Sequence, residues 1–511
     1  MPTLRAAAPP YRNPAFSAFR GFAARRPLLV AAAALLLWTL LIRLPFLHVI
    51  HDDEAFYAVV AQRWLRGELP YAASYDVKAP GVFAVLAAVQ AVFGAHLAVI
   101  KGVEIAFTAW GALALYRLLR PAAGPACAGF AAGAYPLYSL FMLGVAAPCQ
   151  LIEAAFTIEA FALALKADAA GRRRLVLMTL SGLAMGCAVI TKQTAAFTAL
   201  GLFGWAAWRS RARRDVLPLA LFCAAGLLPA LGFAVYFLAC GHFRDAFDAV
   251  VVNALSRSQT NMSRPSPLGV LQRVAQFPAF LKPILVISVG TLLALLRLPR
   301  LRAAVGGAPL ALLLVWSLSE ALGILACRSP DIWYGFVLIP PFLALAAIVL
   351  RHGVAFRPDQ RAAWIGAYLL AAAAQPFLVP DAIAPSSLAD YTGSVRAAGA
   401  LRMAGLKPGD NLLVTGRGHY AYLMTGALPK AKYFNAMHLM CAFPTPDADP
   451  LAAAFATRPD FVLVSDLEFY ISCQRPDRAA ALNAELAAHY QAVSRVSGRW
   501  DSFTVYRRRG P

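Results

Sequence analysis

The stretch HDDEAFYAVVAQRWLRGELPYAASYDVKAPG, residues 51–81, decides how the rest of the chain is read. It follows directly on the first long apolar run, and three acids, Asp52, Asp53 and Glu54, stand where that run should leave a bilayer. Apolar residues then recur at helical spacing, with Tyr57, Val60, Ala61, Trp64 and Leu65 on one face. The pattern predicts a helix that lies on a membrane surface and begins in carboxylates. A Gly-x-x-Pro-Tyr turn at 67–71 and a Lys-x-Pro at 78–80 close the stretch.

Working outward, the composition makes the membrane setting necessary. Of 511 residues 60% are apolar and only 14% charged, and the mean hydropathy is +0.61. Those values exclude an ordinary soluble globule and specify a polytopic membrane protein. A net charge of +21 would suggest nucleic acid in a soluble chain. Here the cations gather in short loops between apolar runs, without interleaved aromatics, so the positive-inside bias accounts for them and no nucleic-acid partner is expected. Residues 1–26 carry five arginines and no acid. The apolar run after them is too long for a signal-peptide core and reads as an uncleaved first span behind a cytoplasmic tail. The eight cysteines show neither CxxC nor Cys/His spacing, which argues against a zinc or redox motif. Cys441 and Cys473 fall in the tail of the chain, where a disulfide and two free thiols are equally open readings.

Hydropathy and charge asymmetry together give about eleven spans, at 27–49, 98–119, 123–143, 151–167, 175–190, 193–208, 216–239, 280–297, 308–326, 334–350 and 363–380. With the N-terminus inside, the inner segments are 1–26, 117–120, 166–174, 209–214, 297–302 and 351–361, and they hold 21 Lys and Arg. Residues 82–93 are apolar but too few to cross. Counting them as a span would invert every later loop, so they are read as a juxtamembrane or re-entrant helix. An odd number of spans puts the tail beyond residue 381 on the same side as the acidic loop. That tail, 385–511, regains charge and alternates short strands (412–415, 461–464, 502–506) with a helix at 478–489, which predicts a small α/β domain. The sequence GRG at 416–418 follows a strand but lacks a third glycine and a downstream acid, so it reads as a turn. The outer segment 240–280 is longer than a connector needs and could order on a ligand or remain a surface loop.

The acidic pair at the end of the first span, the amphipathic helix, the Gly-x-x-Pro-Tyr turn and the Lys-x-Pro together resemble the first periplasmic loop of the GT-C glycosyltransferases. Within that family the protein O-mannosyltransferase and lipid A aminoarabinose transferase group is the most similar. The resemblance implies an all-α polytopic GT-C membrane domain at 27–380, its first periplasmic loop at 50–97, and a soluble periplasmic α/β domain at 385–511. It further implies a multi-pass enzyme of the bacterial cytoplasmic (inner) membrane that transfers a sugar from a polyprenyl-phosphate carrier to a periplasmic acceptor, with membrane lipid around it. Single displacement would invert the anomeric centre, since one carboxylate beside the acceptor and no second nucleophile are expected.

Such a transfer needs a base for the acceptor proton and positive charge for the phosphate leaving group. By the resemblance Asp53 is the base or acceptor-orienting carboxylate, with Glu54 beside it. A cap of the following helix through Asp52 is the structural alternative. Relatives carry a second acid in the second outer loop, often followed by proline; this chain has AAPCQLIE there, and Glu153 is the candidate. Glu159, six residues on, should face elsewhere. For the donor phosphate, Lys78 matches the family's Lys-Pro position with Ala79 intervening. Lys192, in TKQT at 191–194, stands where relatives have Thr-Lys-Gly. Arg328 and Tyr334 belong to a stretch resembling the family's His-Tyr and Pro-Pro segment, with Trp333 in place of the histidine. No cofactor is specified; a divalent metal, if one binds, would bridge Asp53 and Glu153. The alternative from another class is a transporter or flippase for a lipid-linked or anionic substrate, because buried charges also mark substrate pathways.

Overall fold

The computed structural model describes residues 25–47, 50, 52–141, 148–256, 295–296, 298–326, 332–353, 366, 385–440, 445, 449–465, 476–498 and 502–510. Helix α1 (Pro27–Arg43) leads into the first loop, which carries α2 (Asp52–Leu65) and α3 (Gly81–Phe93). There follow α4 (Leu97–Phe141), α5 (Pro148–Ala169), α6 (Arg174–Thr191), α7 (Ala195–Arg213), α8 (Leu217–Ala239), α9 (Gly307–Ala326) and α10 (Ile339–Ile348). Among the described residues six helices are long and apolar enough to cross a bilayer. Helices α5 and α7, with 22 and 19 residues, have the length but carry charges. The spans read at 280–297 and 363–380 lie almost wholly outside the described residues.

The joint between the second and third expected spans is tight. The segments read as separate spans at 98–119 and 123–143 are the two halves of α4, two helical stretches that meet at Gly124, whose φ of 74° leaves the helical region. Pro121 and Pro125 flank that residue. Proline removes ladder hydrogen bonds and glycine accepts positive φ, so the break needs no intervening loop. The segment at 82–93 is the short helix α3, whose 13 residues reach only about 20 Å, too little to span.

Packing in the bundle relies on small residues. A Cβ on Gly182 would lie 2.1 Å from the Phe222 carbonyl oxygen, and one on Gly186 would lie 2.2 Å from that of Gly226. This Gly-x-x-x-Gly pair lets α6 and α8 touch backbone to backbone, as membrane helices do where lipid leaves no hydrophobic gain to drive association. Phe161 of α5 stacks on Trp316 of α9 at 4.5 Å between centroids in the middle of the core. At one end of the bundle the basic turns meet: Arg209 donates twice to Asp168 at 2.8 Å, and Arg174 pairs with Asp215 at 3.1 Å. At the other end the 192–194 turn meets the first loop, where the Gln193 amide donates to the Val77 carbonyl at 2.6 Å.

Beyond α11 (Pro385–Met403) come β1 (Leu412–Val414), α12 (Tyr420–Thr425), β2 (Phe461–Ser465), α13 (Pro476–His489), β3 (Tyr490–Ser497) and β4 (Ser502–Arg508). The four strands form one sheet in the order β1-β2-β4-β3, with β1 parallel to β2 and the other pairs antiparallel. The sequence reading lacks β3. Only Tyr490 of that strand is buried, and the register slips between Ala492 and Ser494, so the edge strand shows no clean alternation. Cys441 and Cys473 lie outside the described residues.

The sheet domain rests on the first loop. Phe56, Tyr57 and Val60 of α2, Tyr71 and Tyr75 of the loop, Phe83 of α3, and Leu412, Tyr422, Phe434, Val462 and Phe503 belong to one apolar core. Polar bonds cross the same junction. The Tyr75 N–H donates to the Lys432 carbonyl at 2.9 Å, and buried Arg63 donates to the Ala431 carbonyl at 2.8 Å. The acidic loop and the tail therefore share a side of the bundle.

Candidate active site

The site starts from the first turn of α2. Successive helical residues point about 100° apart, and the three acids leave the helix in three directions. Asp52 turns to the sheet domain: its Oδ1 accepts from the Gly418 and His419 backbone N–H groups, both at 2.9 Å, and its Oδ2 lies 2.5 Å from His419 Nδ1. The capping reading of Asp52 is thus replaced by an interdomain contact. Burial acts to raise its pKa, but His419 and the two backbone donors outweigh it and hold the carboxyl at about 2. For His419 burial opposes the charge, while Asp52 and the Phe434 carbonyl, 2.7 Å from Nε2, lift it above an ordinary histidine.

Glu54 turns the other way. It is fully buried and accepts from Lys101 Nζ at 2.8 Å; the same ammonium donates to Glu104 at 3.1 Å. Arg43 completes the group, 3.7 Å from Glu104 and donating to Ser139 Oγ at 2.9 Å. Two cations and two acids thus gather in one buried group. Burial and the Glu104 charge push Glu54 well above the carboxylate range, against the pull of Lys101. The structure therefore takes Glu54 away from the remaining candidates.

Asp53 is half-buried between these two directions. Its charge, and those of Lys78, Lys192 and Glu153, all fall on the Cys149 thiol at the start of α5, which brings four candidates around one point. Lys192 Nζ stands 3.7 Å from Glu153 Oε2 and 4.3 Å from the centre of the Tyr334 ring. Glu153 is 1% exposed, and its Oε2 has no hydrogen-bond partner among the described residues. A buried carboxylate oxygen left this way is costly unless something else comes to it. Burial works against the Lys192 charge, but Glu153 outweighs it and keeps the pKa above that of a free lysine. Arg328 lies outside the described residues.

Local structure explains the convergence. Gly81, last residue of the Lys-Ala-Pro-Gly turn, has no room for a side chain, since a Cβ would meet the Ile190 carbonyl oxygen at 2.6 Å. That close approach lays Lys78 beside the end of α6, where Lys192 follows. Tyr71, at φ +70°, donates its hydroxyl to the Lys78 carbonyl at 2.8 Å and braces the same turn. Further along α5, Glu159 is bound by Arg117 at 2.8 Å and by Trp110, on a different face from Glu153.

Two residues escaped the sequence reading. Glu320 of α9 is 4% exposed, accepts from Trp316 Nε1 at 3.1 Å, and lies within electrostatic reach of Glu153 and Lys192. Its signal was a lone acid in an apolar span, the same signal that singled out Glu153. His419 stood directly after the GRG turn and gave no sign of its partner. As for a metal, the described residues contain no group of three or more His, Cys, Asp or Glu able to hold one. Asp53 and Glu153 would supply only two carboxylates, one of them facing Lys192.

No family model matches the sequence, and no curated protein matches it significantly. The fold has clear counterparts among solved structures. ArnT from Cupriavidus metallidurans in the apo state superposes with a TM-score of 0.60 at 16% identity, covering 94% of this chain and 98% of that one. The same protein bound to undecaprenyl phosphate gives 0.60 at 15% identity and the same coverage. An Archaeoglobus fulgidus oligosaccharyltransferase tethered to an acceptor peptide gives 0.50 at 12%, covering 96% of this chain and 75% of that one. At such identities the likeness is one of architecture, and on it the chain has the GT-C fold.

Proposed function

We propose that the chain is a glycosyltransferase of the bacterial inner membrane that moves a sugar from a polyprenyl-phosphate carrier to a periplasmic acceptor. The observation that carries the reading is the meeting of Asp53, Glu153, Lys78 and Lys192 around Cys149, on the side of the bundle where the first loop and the sheet domain lie. The counterparts support it, since one was solved with undecaprenyl phosphate and another with an acceptor peptide. The N-terminus is cytoplasmic and residues 385–511 are periplasmic in this reading, which the basic turns at the opposite end of the bundle support.

In the reaction the acceptor hydroxyl loses its proton to Asp53 as its oxygen attacks the anomeric carbon. The bond to the phosphate oxygen breaks on the opposite face, which inverts the centre. The leaving group gathers negative charge, and Lys78 and Lys192 neutralise it. Tyr334 holds the Lys192 ammonium against its ring face, so the cation waits in place. Glu153 occupies Lys192 loosely and releases it to the incoming phosphate. Arg328 is a further phosphate ligand by sequence position.

The test is Asp53→Asn. Asparagine keeps the size and one acceptor oxygen but loses the proton-accepting charge. Transfer of labelled sugar in membranes, normalised to protein, should drop by about 10²- to 10⁴-fold. Near-normal transfer by this variant would end the catalytic reading of the first loop.

A further inference from the structure

The sheet domain reaches the candidate base through one residue of the preceding helix position. Asp52 is gripped by three donors from the GRGH turn: the N–H of Gly418, the N–H of His419 and the His419 ring. The turn is built for this. Gly418 sits at φ +115°, and a Cβ there would meet Phe503 Cε1 at 2.9 Å, so only glycine fits. The His419 ring is 1% exposed and closed in by Phe56 at 5.5 Å and Tyr422 at 6.1 Å. Its second nitrogen is anchored on the Phe434 carbonyl at 2.7 Å. Both ring nitrogens thus face acceptors, and the ring can neither rotate nor withdraw without losing one of them. Phe434 is held in turn by Arg63 at the far end of α2, whose guanidinium lies 5.4 Å from its ring centre.

On the glycosyl-transfer reading above, we propose that His419 is a positioning residue for Asp53: with Gly418 it clamps Asp52 and so sets the rotation of the first turn of α2 from the sheet domain. Asp52 and Asp53 are adjacent on one rigid turn. Fixing the first carboxylate by three bonds fixes the direction of the second, which stays within electrostatic reach of the Cys149 thiol that Glu153 and Lys192 also reach, while Glu54 goes to Lys101. The tail is then a structural part of the catalytic apparatus, although it supplies no reacting group. A displacement of about 1 Å at a reacting centre costs on the order of 10²-fold in rate, which sets the scale of the effect.

The experiment uses the full chain in proteoliposomes with a polyprenyl-phosphate sugar as donor, and compares wild type with His419→Ala, His419→Asn, Asp52→Ala and the Asp52→Ala/His419→Ala pair. His419→Ala should lower kcat by about 10- to 100-fold while the donor KM stays within about twofold, since the phosphate ligands are untouched. His419→Asn places an N–H near the position of Nδ1 and should recover to within about threefold of wild type. The pair should be no worse than the poorer single variant, because both members break the same clamp. Deuterium uptake at the start of α2 should rise in His419→Ala and return in His419→Asn. An unchanged kcat, a failure of asparagine to rescue, or unchanged uptake in His419→Ala would overturn the clamp. If instead Asp53→Asn transfers normally, the enzymatic reading falls, and the uptake measurement still decides whether His419 holds α2.

Discussion

Two buried groups of charge flank the first turn of α2, and they are built differently. In the group of Glu54, Lys101, Glu104 and Arg43, contacts of 2.8 and 3.1 Å join the central ammonium to both acids, and the remaining cation reaches a hydroxyl at 2.9 Å. In the group of Asp53, Glu153, Lys78 and Lys192, the Lys192 ammonium and the Glu153 carboxylate stop at 3.7 Å, and one oxygen of Glu153 is left over. Both groups lie in a low-dielectric interior, where an ion without close partners is expensive. In the first the ammonium is bonded closely to both acids, whereas in the second the Lys192–Glu153 pair is looser, and on the function proposed above an anionic phosphate would close on Lys192. Adjacent carboxylates of one helix turn thus meet different surroundings, Glu54 in the Lys101 group that joins α1, α2 and α4, and Asp53 within electrostatic reach of the Cys149 thiol.

The contrast can be broken first where the effect should be largest. Lys101→Met would leave Glu54 and Glu104 facing each other in the interior without their shared cation. Breaking a buried pair from one side costs about 3–5 kcal/mol, a large share of the stability of an ordinary domain, so the variant should be scarce in membranes. Normal abundance and normal heat resistance would show that the group is not structural. Lys192→Met should do the reverse. The ion pair it breaks is a loose one, at 3.7 Å, so abundance should hold. The donor KM should rise by about 10- to 100-fold, the worth of one charged hydrogen bond of about 1.5–3 kcal/mol. A donor KM equal to that of wild type would remove Lys192 from the phosphate site. Glu159→Gln sharpens the comparison further. Its partner Arg117 is partly exposed and can be solvated, so transfer should stay within about threefold of wild type, whereas Glu153→Gln on the other face of the same helix should be severe.

The sequence made the membrane fold and the α/β tail readable, because each depends on local pattern: hydropathy, charge asymmetry and periodicity. The helix opening in carboxylates was readable as a helix, but it does not lie on a membrane surface: Glu54 to Ala61 are all buried, with Phe56, Tyr57 and Val60 packed into the core of the sheet domain. Lys78, Lys192, Tyr334 and Glu153 were singled out by the resemblance to the GT-C loops, and the structure brings Lys192 beside Glu153 and Tyr334. What remained hidden depends on contacts distant in the chain. Asp52, Asp53 and Glu54 look equivalent in a row, and only the partners at Gly418, Glu153 and Lys101 separate them. Glu320 was passed over although it carried the same signal as Glu153, an acid within an apolar run. The sharing of one core between the first loop and the sheet domain has no local signature at all.

The smallest effect expected concerns pH, and it isolates the Asp52–His419 contact from both charge groups. His419 is lifted above the ordinary histidine value, so its contribution to stability is complete below about pH 6.5 and is lost as pH rises through the raised folded value. Asp52 is held at about 2, so its contribution is complete above about pH 3.9 and is lost as pH falls towards the folded value. Both are present only between about pH 4 and 6.5. The groups facing the imidazole are Asp52 and Asp53 of α2, with Tyr422 on its own helix and Arg63 behind the Phe434 ring. Asp52 is held ionised far below neutral pH, which leaves His419 as the member of this pair whose charge changes on the alkaline side. Thermal unfolding of the detergent-solubilised chain should therefore move to lower temperature between pH 5.5 and 9.5. In His419→Asn, which keeps a donor to Asp52 but does not titrate, that movement should be smaller. An equal movement in the two proteins would assign the alkaline loss to other groups and leave the interdomain contact without a pH dependence of its own.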